Sequence, residues 1–321
     1  MKQLTLATNE FERFRKPTRR EKFLAEMNEV VPWAELVALI EPHYPKAGDA
    51  GGRPAVGLER MLRMHLLQLW FNLSDPAVEE ALYESTSMRA FVGIDLGREP
   101  VPDETTAMRF RHLLEKNDLG KKIFEEVGKV LQKKGLSLSK GTIVDATIIS
   151  APSSTKNKDG QRDPEMHQTR KGKQWYFGMK AHVGVDSKSK MIHSVVVTPA
   201  NTADSKVMDQ LLHGQETRVY GDQAYVGQRE KIRAKAPKAR DFTNRRCKWK
   251  GIVDMATVAK NGRKSSIRSR VEHSIGVIKR VFGFTKVRYR GLAKNANRLF
   301  VTAALANIFM ARTTLAGAVR P

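Results

Sequence analysis

The apolar positions of the chain fall into two regimes. Up to about residue 138 they recur at helical spacing, and beyond Gly141 they gather into short β-branched runs. Residues 1–18 read as a flexible basic arm ending at Lys16-Pro17. Thr18 is placed to cap a helix over Arg19–Asn28, and Pro32 to open another over Trp33–Ile40. After a turn-rich stretch from Pro42 to Pro54, the residues Leu58, Met61, Leu62, Leu66, Leu69 and Trp70 mark a clearer helix. Ser74-Asp75-Pro76 starts the next, with Val78, Leu82 and Tyr83 predicted inward. Asp103 starts one that carries Met108, Phe110, Leu113 and Leu114, and a last runs from about Leu119 to Lys133. Such an all-α half is either a plain bundle or contains a helix-turn-helix. In the second case Asp103–Leu114 is the recognition element, and Thr105, Arg109 and Arg111 face DNA.

In the second regime, Gly141-Thr-Ile-Val-Asp-Ala-Thr-Ile-Ile149 has the pattern of a buried central strand. Ser150 to Lys173 is polar throughout and predicts a long loop, functional or disordered. Trp175–Asp186 and Met191–Thr198 predict two strands joined by a tight turn at Asp186-Ser-Lys-Ser-Lys. Asn201–Asp204 caps a helix through Leu212, Thr217–Gly221 is a fourth strand that delivers Asp222, and Phe242-Thr-Asn is a weak fifth. A helix is predicted over Ser265–Phe282. Ile267, Val271, Ile275, Ile278 and Phe282 form its apolar stripe, while Arg268, Glu272 and Lys279 share another face within about 40°.

Charge changes this picture. The 321 residues are 40% hydrophobic and 28% charged, as in a globular protein, but the net charge is +23. From Tyr225 to Phe300 there are 22 lysines and arginines against 4 carboxylates. A basic excess concentrated in one quarter of the chain calls for a polyanion, and the interleaved aromatics favour nucleic acid over a membrane surface. The single cysteine, Cys247, excludes an internal disulfide and a cysteine-rich zinc site and fits a reducing compartment. No signal-peptide core is visible at the N-terminus. The longest apolar run, Val301–Ala311, is too short for a membrane span and is interrupted by Thr302 and Asn307. A cytoplasmic protein is expected.

Against that basic background three carboxylates stand out: Asp145 mid-strand, Asp222 at a strand end and Glu272 on a helix. A carboxylate inside a strand is costly unless a cation or a donor compensates it. Several brought together persist around cations, and oxygen-only ligation selects Mg2+ or Mn2+ over zinc. Two such ions clamp the attacking and leaving oxygens of a phosphodiester. Asp145 has the blander alternative of an aspartate held by backbone N–H groups. Lys180 and His182 share a strand face and, if they face Asp145, would contact phosphate or a carboxylate; otherwise they are polar residues on a solvated face. Arg268 and Lys279 are expected on backbone phosphate. Trp175 and Tyr176 suit either core anchoring or stacking on an unpaired end base.

The chain resembles the DDE transposases of bacterial insertion sequences, closest to the insertion sequence 5 group. The stretches that carry the resemblance include Thr142-Ile-Val-Asp-Ala-Thr-Ile-Ile, Ala151-Pro-Ser-Ser-Thr-Lys-Asn-Lys, Phe177-Gly-Met-Lys-Ala-His-Val-Gly-Val-Asp, Arg270-Val-Glu-His and Val287-Arg-Tyr-Arg-Gly-Leu-Ala-Lys-Asn. They run through nearly the whole chain. The resemblance implies an α/β fold with an RNase H-like catalytic core, a mixed sheet flanked by helices, behind an N-terminal all-α DNA-binding domain. It assigns Asp145, Asp222 and Glu272 as the catalytic and metal-binding triad for two Mg2+ ions, with hydrolysis at the element's ends and strand transfer by the freed 3′-OH. DNA contacts are expected at Lys180, His182, Arg268, Lys279, Arg288, Arg290, Arg109 and Arg111. The family signature around the glutamate, Tyr-x2-Arg-x3-Glu-x6-Lys, is met by Arg268, Glu272 and Lys279, but Ser265 stands in the tyrosine position. The expected domains are 1–138 (helical, terminal repeats), 139–300 (catalytic, with a basic insertion at about 228–264) and 301–321 (C-terminal helix and tail). A synaptic dimer on the bacterial nucleoid is the expected assembly; a catalytically silent DNA-binding regulator is the alternative.

Overall fold

The computed structural model describes residues 16–45, 55–136, 138, 140–158 and 160–317. The basic arm up to residue 15 and most of the turn-rich stretch lie outside them. The N-terminal part holds helices α1 (Arg19–Val30), α2 (Trp33–Ile40), α3 (Leu58–Trp70), α4 (Asp75–Glu84), α5 (Thr86–Val92), α6 (Glu104–Lys116) and α7 (Leu119–Lys133). Their starts follow the caps in the sequence. The side chains of Thr18, Ser74 and Asp103 each accept a hydrogen bond from a first-turn N–H, of Glu21, Ala77 and Thr106 respectively. Tyr83 is 48% exposed, not inward.

The second part is built on a mixed sheet of β1 (Gly141–Ser150), β2 (His167–Lys171), β3 (Gln174–Asp186), β4 (Ile192–Pro199), β5 (Arg218–Tyr220) and β6 (Arg240–Asp241). β3 lies antiparallel to β1, β2 and β4, whereas β5 runs parallel to both β1 and β6. β2 lies inside the stretch expected to be a loop. A two-residue turn, Gly172-Lys173, joins it to β3, with Gly172 at φ +61°. Glycine at the first position of such a turn matches the twist of a tight hairpin. The segment expected as a helix through Leu212 is a 3-10 helix, Asp204–Leu211, and the fifth strand falls two residues before Phe242.

After α8 (Arg229–Lys235) the basic insertion forms a short hairpin, β7 (Lys248–Trp249) with β8 (Ile252–Val253). The predicted Ser265–Phe282 helix is not continuous. α9 (Met255–Arg268) ends at Ser269, α10 (Arg270–Gly276) carries the chain on, and a π-helical turn closes it at Val277–Val281. The predicted apolar stripe still packs inward, with Val271, Ile278 and Phe282 buried.

The last helix, α11 (Leu292–Gly317), starts before residue 301 and is longer than the apolar run in the sequence suggested. By length and composition it would suffice to cross a membrane, but 61% of its most apolar stretch is buried inside the protein. It packs on α7, α1 and β4. Asn307 donates to Ile192 O and accepts from Ile192 N (2.7 and 2.8 Å), tying the helix to β4. Asp163 and Glu165, on the loop before β2, accept from the N–H groups of Gly291 and Leu292 at the start of α11, where a helix favours negative charge. One hydrophobic core runs from the N-terminal helices through β1, β3 and β4 to α11. A smaller one lies between the 3-10 helix, β5 and Tyr225.

Candidate active site

β5 stops at Tyr220, opposite Ile143 of β1. Beyond that point β5 leaves β1, which on this side is next bridged only at Ser150, in parallel to Lys286, among the described residues, and the chain turns away through Gly221 to Asp222. Asp145 therefore borders an open notch where β5 ends beside the middle of the parallel strand β1, close to the position at which open α/β sheets bind ligands. The notch widens into a cavity of about 720 Å3. Asp145, Asp222 and Glu272 all line it, with Lys180, Asp204, Arg268, Lys279 and Arg280, and with Thr169, Arg170 and Lys171 of β2.

Each acidic group is held differently. Asp145 accepts from the N–H of Ala146 (2.8 Å) and from Arg268 Nη1 (3.1 Å). Burial pushes its carboxyl up to about 6, the charges of Asp222 and Asp204 add to the rise, and the Ala146 N–H and Arg268 oppose it. Asp222 caps a 3-10 turn, Gln223–Tyr225, accepting from the N–H of Ala224 at 2.9 Å. Glu272 stands exposed on α10, one turn beyond Arg268.

The cationic rim is partly pre-bonded. Lys279 Nζ donates to Thr147 Oγ1 (3.2 Å) and to Ile148 O (2.9 Å). Burial lowers its pKa, and Lys171 on the facing hairpin lowers it further. Lys180 Nζ donates to Asp204 Oδ1 and to Thr202 O, both at 2.8 Å.

The register corrects part of the reading of Lys180 and His182. Asp145 pairs with Val183, whereas Ile148 pairs with Lys180 and Ala146 with His182. Both residues thus leave the sheet on the face opposite Asp145. Lys180 still lines the cavity, which is open to both faces at the notch. His182 is fully buried, its Nε2 2.8 Å from Thr198 Oγ1, and burial drops its pKa to about 4. It is a buried, neutral residue, its Nδ1 3.8 Å from Asp204 Oδ1, and not an exposed group.

Arg111 is likewise corrected. It is 6% exposed, bonded to Asp75 (3.1 Å) and Glu115 (2.9 Å), and its guanidinium lies 4.1 Å from the Tyr289 ring centroid. The apolar side of α6 (Ala107, Phe110, Leu114) draws Arg111 inward with it. Thr105 and Arg109 are exposed. Arg288 and Arg290 are exposed too, but Arg288 donates to the Asn72 side chain at 3.1 Å and also to its carbonyl, so it latches the segment before α11.

Two groups escaped the sequence reading. Asp204, taken only as a helix cap, reaches the cavity and raises the Asp145 pKa. Tyr225 is 1% exposed, and its hydroxyl has no hydrogen-bond partner among the described residues. Burial raises its pKa first, then Asp204, Asp145 and Asp222. Tyr225 follows Asp222 by three residues on the 3-10 turn, a spacing visible in the sequence but mute without the turn.

The donor set is all oxygen, and Asp145 is short of positive charge, which suits a hard divalent cation. Among the described residues, however, no three His, Cys, Asp or Glu side chains already stand in a metal-binding group. Arg268 takes one oxygen of Asp145 and would have to yield it.

Two family models match the chain. One, described as the transposase DDE domain, covers residues 137–308, and the other, described as transposase domain (DUF772), covers residues 12–113. Among solved structures, a piggyBac transposase synaptic complex with hairpin DNA is similar at a TM-score of 0.46 and 10% identity, over 97% of this chain and 78% of that one.

Proposed function

The chain belongs to the DDE transposases, the family whose domain spans more than half of it, and from that premise we propose how it acts on DNA. It cuts at the ends of its element by hydrolysing a phosphodiester, and the freed 3′-OH then attacks target DNA. The observation that carries this reading is the one cavity that Asp145, Asp222 and Glu272 line together where β5 ends beside β1, under a rim of Arg268, Lys279 and Arg280.

Asp145, Asp222 and Glu272 would hold Mg2+, or Mn2+ in its place. Bound there, the ions supply an activated oxygen nucleophile and stabilise the leaving oxygen. The protein's own contribution is positional. Lys279 and Arg280 stand where the DNA backbone would lie, and Arg268 neutralises Asp145 until a cation replaces it. The raised pKa of Asp145 supports this exchange, since an aspartate crowded by two other carboxylates gains from a second positive charge.

The three antiparallel strands adjoining two parallel ones support the RNase H-like assignment of residues 139–300. The exposed Thr105 and Arg109 on α6 leave terminal-repeat recognition to the helical part. Membership of the insertion sequence 5 group, a bacterial cytoplasmic setting and a synaptic dimer belong to the same proposal and rest on the sequence motifs.

The test uses purified full-length protein, end DNA and Mg2+. Asp145→Asn, Asp222→Asn and Glu272→Gln should each abolish cleavage and joining while end binding survives. Normal strand transfer by any of the three would sink the reading. Binding without metal-dependent cutting by the wild type would favour a silent regulator.

A further inference from the structure

β3 pairs with β1 only from Gly178 onward and Phe177 O still accepts from Ala151 N, so residues 167–176 form a two-stranded ribbon with no third strand among the described residues. At Gly178 the ribbon leaves the sheet, and a Cβ there would sit 2.2 Å from Ile149 O. His167, Gln168, Arg170, Lys171, Gln174 and Trp175 are all exposed. A hairpin open on both faces gains little from water, and an indole 64% exposed on it gains less.

The composition of the ribbon is one-sided. His167 to Tyr176 contains Arg170, Lys171 and Lys173 and no carboxylate. Its Thr169, Arg170 and Lys171 make one wall of the catalytic cavity, and Lys171 is in electrostatic range of Lys279 on the opposite wall. Two cationic walls above an acidic floor suit a polyanion lying between them. Arg170 and Trp175 are cross-strand partners, the guanidinium 6.0 Å from the indole centroid. A cation beside an open aromatic face can hold a backbone and a base together, provided the base is unstacked from its duplex.

We propose that the β2–β3 hairpin is an arm that grips the DNA being cut, with Arg170 and Lys171 on the backbone and Trp175 stacked on a base left unpaired beside the scissile phosphate. The proposal rests on the reading that this cavity cuts DNA, and it adds the arm, its ligand and the need for local unpairing.

The experiment places 2-aminopurine at successive positions around the cleavage site of end DNA and binds full-length protein in Ca2+. The wild type should quench one position, Trp175→Phe should retain part of that quenching, and Trp175→Ala should lose it. In Mg2+, Trp175→Ala should slow cleavage of a fully paired end roughly 5- to 150-fold, the range for one stacked base. A mismatch at the quenched position should restore much of the rate. The arm is overturned if no position responds to Trp175, or if the alanine variant loses equally on paired and mismatched ends. It is also overturned if Trp175→Ala changes only self-association. Wild-type protein that quenches but never cuts would remove the proposed chemistry and leave the arm's contact standing. Protein that cuts with no position responding to Trp175 would do the reverse.

Discussion

Two regions of this molecule use arginine against carboxylate, to opposite ends. At the junction around Tyr289, Arg111 is closed over by Asp75 and Glu115, with 7%, 17% and 12% of the three side chains exposed. In the cavity, Arg268 and Asp145 are 25% and 17% exposed and share a single contact at 3.1 Å. Asp145 is also crowded by two further carboxylates. The first is a closed-over cluster, one arginine between two carboxylates, that fastens α6 to α4. The second is an unbalanced pair beside open solvent, where another cation has reason to enter. Charge alone does not distinguish a structural arginine from a site arginine; the balance of its surroundings does.

The sharpest way to break this comparison is to remove the two arginines in turn. Arg111→Ala removes a buried guanidinium and leaves two part-buried carboxylates without it, and should cost about 3–5 kcal/mol in urea unfolding. Arg268→Ala should cost less than about 1 kcal/mol at pH 7, because Asp145 can relieve its charge by taking a proton. Equal losses would erase the distinction.

Adding Mg2+ sharpens it next. An ion that binds only the folded chain should stabilise the wild type by about 2.7 kcal/mol at a hundredfold excess over its Kd. The Asp145→Asn variant should show little of that gain, measured as Tm against MgCl2.

Proton linkage gives a smaller effect. Asp145 holds its proton more tightly folded, at about 6, than the ordinary 3.8, so the folded state carries the extra proton between those values. Its contribution to stability therefore falls as pH rises through that window, and the deficit persists at pH 7. Asp145→Asn should be more stable than wild type by about 1–2 kcal/mol at pH 7 without divalent ions, and the gap should close near pH 3.5. A gap independent of pH would contradict the burial of this charge. Smallest of all, Glu272→Gln at its exposed position should alter stability by less than about 0.5 kcal/mol.

The sequence made the apolar framework legible because that framework is periodic. The α3 and α7 faces, the β1 run and the inward stripe of residues 267–282 all occur where their spacing places them. So do the three carboxylates, since a charge inside an apolar strand or beside a helix stripe is conspicuous. What stayed hidden depends on register and on turns. β2 has no apolar alternation because both its faces meet solvent, so only the Gly172-Lys173 turn betrays it. Asp204 looked like a cap because a 3-10 helix and a helix start alike. His182 and Arg111 looked available because a polar side chain in a half-apolar segment can point either way, and only the packing of the 3-10 helix and of Tyr289 decides which.

The most direct measurement is a calorimetric titration of Mn2+ into the full-length protein bound to end DNA, comparing the wild type with Asp145→Asn/Asp222→Asn/Glu272→Gln. The account predicts two ions per active site in the wild type and none of comparable affinity in the triple variant. An unchanged stoichiometry and affinity in the variant would contradict it.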